Sequence, residues 1–160
     1  LFTDYPPPTE PPSTLRQVLS EWGHTWMWES LNLSGDGEDK AGAWLREAIE
    51  ENTLVAVTDG SYMKELYPDM NSCAFILECS RDRGRMLGAF SEQTMAACSY
   101  RGKLLGLLAI HLILLSINKI NPTLTGSVHI YSDCLGALDK VKNLPQHRIP
   151  SNAAIQMYSR

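Results

Sequence analysis

LVAVTDGSY, residues 54–62, decides how the rest of the chain is read. Leu54 to Val57 form a short, continuously apolar run, the pattern of a buried strand, and Asp59-Gly60-Ser61 that follows is turn-like. SVHIYSD (127–133) repeats the arrangement: an apolar strand closed by an acid, Asp133, ahead of CLGALDKVKNL (134–144), which reads as a helix. Between them, NSCAFILECS (71–80) and GRMLGAFSEQ (84–93) are two further strands, joined through Arg81-Asp82-Arg83-Gly84 as in a hairpin. A long helix is predicted from about Ala96 to Ile117, followed by a loop over 121–126 that contains Pro122. The order is β-β-β-α-β-α, an α/β fold. Three strands joined by short loops make an antiparallel meander, and the fourth returns after a helical crossover to lie parallel to the first.

That topology gives Asp59 and Asp133 a meaning neither has alone. Taken singly, Asp59 opens an Asp-Gly turn and Asp133 caps a helix. Placed at the carboxyl ends of neighbouring parallel strands, about 4.8 Å apart, they face one small volume, where sites gather in open α/β sheets. Two like charges so close require a proton or a cation between them. Oxygen-only ligands suit magnesium or manganese, and a pair of such ions can activate water and stabilise the leaving oxygen in phosphodiester cleavage.

VTDGSY, the two-strand meander, YRGKLLGLLAIHLIL and VHIYSDCLGAL, in that order, resemble the type 1 ribonuclease H domain of retrotransposon-like reverse transcriptase polyproteins. The resemblance covers residues 52 to about 145. It implies a ribonuclease H-like mixed sheet that hydrolyses the RNA strand of RNA–DNA hybrids, recognising them by minor-groove shape and 2′-hydroxyl contacts. It also implies a larger parent polyprotein, and a monomer otherwise. Of the family's four carboxylates, Asp59 matches the first and Asp133 the third, as catalytic and metal-binding residues. The helical glutamate position is held by Lys103, and no carboxylate lies between Glu92 and Asp133 to replace it. The fourth acid is expected to lie beyond Arg160, with the last strand and helix missing. Two aspartates and an ammonium carry about −1, against about −4 for four carboxylates, so magnesium or manganese is expected to bind weakly. The expected enzyme is therefore a hybrid ribonuclease that is inactive or weak as given. The rival expectation is a non-catalytic retroelement remnant, or a nucleic-acid-binding or interaction module.

The remaining sequence bounds these expectations. The chain has 160 residues, 44% hydrophobic and 20% charged, with a net charge of −4. That is enough for one domain with a core plus a short extra segment, and it excludes nucleic-acid binding by bulk positive charge. Residues 1–51 are expected to be a Pro-rich linker and helical connector, and 52–160 an incomplete ribonuclease H-like domain. Prolines 6, 7, 8, 11 and 12 favour an extended path. Ser13 or Thr14 can cap a short helix, and Ala41 to Glu51 forms an amphipathic one. Trp22, Trp26 and Trp28 are expected to pack a small subdomain. Cys73, Cys79, Cys98 and Cys134 lack metal-site spacing, and reduced thiols are expected. The start at Leu1 suggests an excerpt of something longer. No signal peptide is visible, and LLGLLAIHLILLSI (104–117) is short for a membrane span. An intracellular location, in cytoplasm or nucleus, is expected, with no membrane partner. Arg101 and Lys103 are candidate nucleic-acid contacts. Arg81, Arg83 and Arg85 suit a solvated turn better than phosphate binding. His111 reads as a core histidine, and His147 is given no role.

Overall fold

The computed structural model describes residues 13–34, 38–142 and 153–159. Its elements run α1 (Leu15–Glu21), α2 (Thr25–Glu29), β1 (Leu31–Ser34), α3 (Glu38–Glu50), β2 (Leu54–Tyr62), β3 (Met70–Cys79), β4 (Arg85–Gln93), α4 (Ser99–Ile120), β5 (Gly126–Ser132), α5 (Leu135–Lys142) and β6 (Ala153–Ser159). The expected Pro-rich linker and His147 lie outside the described residues.

β2, β3 and β4 form the antiparallel meander, with Asp59 opposite Ala74 and Ala74 opposite Ala89. β5 lies parallel to β2 in a register that sets Leu54 against Val128 and Val57 against Tyr131. The sheet has six strands, ordered β1-β4-β3-β2-β5-β6.

Two strands depart from the sequence expectation. β1 adds antiparallel to β4, Leu31 opposite Gly88, so the N-terminal extension is not purely helical. β6 pairs parallel with β5, Val128 opposite Ile155, so the chain does contain a strand after α5 and the expectation of a missing last strand is corrected. The breakers that hid it, Pro145 and Pro150, both precede Ala153, and the free edge of β5 supplies the hydrogen-bond partner a short strand needs.

The core lies between the sheet and the helices. Alternate residues of β2 and β3, among them Leu54, Ala56, Phe75 and Leu77, point at Leu107, Ile110, Ile113 and Ile117 of α4. Leu15 and Leu19 of α1, Met27 of α2, and Leu45 and Ile49 of α3 join the same cluster. At 22 residues α4 is long and apolar enough to cross a membrane by those criteria alone. It is instead laid across β2 and β3 and flanked by α1, α3 and α5, with Ser99, Leu108 and Lys119 its exposed positions. The four cysteines are free thiols. Of the tryptophans, Trp28 is buried, while Trp26 meets Phe90 edge-on and Trp22 lies beneath Lys119.

Candidate active site

The site grows from how closely α4 approaches β2. Gly60 and Gly102 bring the two backbones together: a methyl at Gly60 would strike the backbone of Gly102 and Lys103, and one at Gly102 would come within 2.8 Å of the Ser72 carbonyl oxygen. One turn on, Gly106 makes room for the Thr58 hydroxyl, which donates to the Ala74 carbonyl at 3.1 Å. Only residues without a side chain permit this crossing. The first turn of α4 is thereby held directly over the carboxyl end of β2.

Asp59 lies within β2 rather than at its end, because the strand stays paired with β3 as far as Tyr62. Its Oδ1 accepts the Gly60 N–H at 2.7 Å. Asp133 follows the last residue of β5. The parallel ladder carries through Val57 and Tyr131, and the next two positions on each strand, Thr58-Asp59 and Ser132-Asp133, line one open cleft of about 190 Å³ with them. The two aspartates predicted from the sequence thus share a pocket, as adjacent parallel strands require.

Lys103 projects from α4 into this corner. Its Nζ donates to Asp133 Oδ2 at 2.6 Å, and its side chain is only 17% exposed. The hydrogen bond to Asp133 holds the ammonium above the usual lysine range; burial opposes this, and the charges of Asp133 and Asp59 add to it. Lys103 is therefore a cation at any physiological pH. It stands where the charge argument calls for a positive ion between two acids.

This donor set does not fit a divalent pair. Two carboxylates offer too few oxygens for hard cations that take six or more, and one is already engaged by an ammonium with no lone pair to give. No group of three or more His, Cys, Asp or Glu side chains among the described residues is arranged to hold a metal.

The other candidates fall away from the cleft. Arg101 makes a two-point contact with Glu92, at 2.6 and 2.5 Å, so its guanidinium is engaged by a carboxylate. That contact draws Glu92 below the usual carboxylate range and raises Arg101 further. Arg81 pairs with Glu51, Arg83 with Glu51 and Glu47, and Arg85 with Glu78, an acid-balanced hairpin. His111 is directed into the helix layer and bonds the Leu107 carbonyl at 2.7 Å. The Glu92–Arg101 lock and the glycine crossing were missed in the sequence. Gly102 and Gly106, four apart in an apolar helix, were the available signal for the second.

The sequence matches no family profile and no curated protein. Among solved structures it is similar to LC11-RNase H1, determined in complex with an RNA/DNA hybrid. The identity is 9%, the match covers 67% of this chain and 86% of that one, and the TM-score is 0.46. The strand order described above stands on its own hydrogen-bonded ladders.

Proposed function

We propose that this chain is a ribonuclease H-like domain of retroelement origin whose ancestral work was hydrolysis of the RNA strand in RNA–DNA hybrids, and that hybrid cleavage is lost or strongly impaired in this sequence. The antiparallel meander with its parallel return supports the lineage, together with two aspartates at one cleft. A single contact carries the impairment: Lys103 Nζ at 2.6 Å from Asp133 Oδ2. An ammonium there neutralises one of two candidate ligands and repels any second cation by several kcal/mol at short range (roughly 4 kcal/mol per unit charge at 4 Å and an effective dielectric constant of 20). Magnesium or manganese, the ions the resemblance implies, would bind weakly.

Affinity for a hybrid also finds little support. The basic side chains flanking the cleft and on the hairpin are matched by acidic ones, and the net charge is −4. Charge-driven, salt-dependent phosphate binding needs unmatched cations.

The test is cleavage of a labelled hybrid with magnesium or manganese, beside thermal unfolding with the same ions. The native chain is expected to leave the RNA intact and show no manganese-dependent rise in Tm. Lys103→Glu converts the cluster to three carboxylates and is expected to gain such a rise. Cleavage by the native chain that disappears in Asp59→Asn would refute the impaired reading.

A further inference from the structure

A second cleft lies on the far side of the helix layer, away from Asp59 and Asp133. It has a volume of about 190 Å³ and lies where the start of α1, the middle of α3 and the end of α4 meet. Thr14, Gly42, Arg46, Ile117, Ile120 and Asn121 are among its walls. Gly42 leaves space beside Ile117, whose methyl would sit 3.9 Å from any side chain begun there.

Arg46 is the unusual member. Its Nε is buried and has no hydrogen-bond partner. No acid lines the cleft, and among the described residues none pairs with this guanidinium. Arg81, Arg83, Arg85 and Arg101 each meet a glutamate. Arg46 as a whole is half-buried, but a buried donor such as its Nε is normally satisfied.

The neighbours narrow what that anion is. The end of α4 contributes the negative pole of a helix dipole, equivalent to about half an electron charge. The start of α1 offers the opposite pole, so the two offset and the single guanidinium charge remains, which suits a monoanion better than a dianion. The remaining walls, Ile117, Ile120 and Leu15, are apolar. The Thr14 hydroxyl accepts from the Gln17 N–H and keeps its own proton to donate. The volume is below that of ordinary drug-sized pockets, so the occupant is small.

We infer that this cleft binds a carboxylate on a short apolar stem, with Arg46 facing the carboxylate and the stem lying on Ile117 and Ile120. Guanidinium and carboxylate match in shape as well as charge. The inference does not depend on the nuclease lineage, since it uses no residue of the Asp59 cleft. The occupant is a free short-chain acid.

The experiment uses the full chain with sodium hexanoate as probe, against hexylamine, hexanol and inorganic phosphate at matched ionic strength. Hexanoate is expected to raise Tm saturably, with a Kd in the millimolar range, and to shift the methyl resonances of Ile117 and Ile120; the controls are not. Arg46→Gln should weaken hexanoate at least tenfold, and Arg46→Lys should fall between. Absence of a saturable response in the native chain overturns the inference, as does an equal response in a folded Arg46→Gln protein.

Discussion

Lys103 shows how much one side chain can alter a site whose frame is intact. Its position four residues after Ser99 in α4, over Gly60, is set by backbone contacts that would hold a glutamate equally well. Asp59, Asp133 and the lysine beside Asp133 were readable from motif order, because their placement depends on local sequence and one parallel pairing. The Glu92–Arg101 lock was not readable: it needs the end of β4 and the start of α4 brought together in space. His111 carries the residue-scale prediction. The Leu107 carbonyl can only accept, so Nδ1 holds the proton, and Nε2 is left buried without a partner. Burial therefore pulls His111 below the usual value of 6.5. A base with a lowered folded pKa supports stability above its unfolded pKa, and that support drains away as pH falls from about 6.5 toward the folded value. The slope attributable to it is at most about 1.4 kcal/mol per pH unit. Urea unfolding of His111→Leu should flatten the stability profile in that window, while the loss below about pH 4.5, to which Glu92 contributes, persists. An unchanged slope between pH 6.5 and 5 would remove His111 from the account.

Among the elements, the long helix and the four central strands followed from apolar runs and breakers, and their ends from tertiary ties. The predicted start at Ala96 moves to Ser99 because Thr94 N–H bonds the Asp69 carbonyl and Cys98, in extended backbone, accepts from Arg101 N–H. β1, at four residues, is too short to show a period, and β6 exists through β5. α1 is only seven residues long and cannot persist unaided. It relies on a reciprocal cap: Thr14 accepts the Gln17 N–H at 3.2 Å, and the Gln17 side chain accepts the Thr14 N–H at 3.2 Å. Thr14→Ala should cost about 1 kcal/mol. Chemical denaturation measures it, and Thr14→Ser should recover most of the loss.

Across the whole molecule, the N-terminal helices and the sheet share one core. Leu15 and Leu19 meet the same cluster as Leu77 and Ile113. Leu19 is fully buried, so Leu19→Ala should destabilise by about 3 kcal/mol. Because the core is continuous, the loss should lower one calorimetric transition rather than split it in two. Two transitions would mean that α1 to α3 melt separately.

β2 has its parallel partner far along the chain, Leu54 against Val128. On a ribosome adding ~5–20 residues per second, β5 emerges roughly 4–14 s after β2. The whole of α4 is synthesised in that interval, after β2 and β3 but before the strand that covers the open edge of β2. The nascent polypeptide thus presents an unpaired strand border for seconds, and a chaperone that shelters such borders during translation should raise the soluble yield.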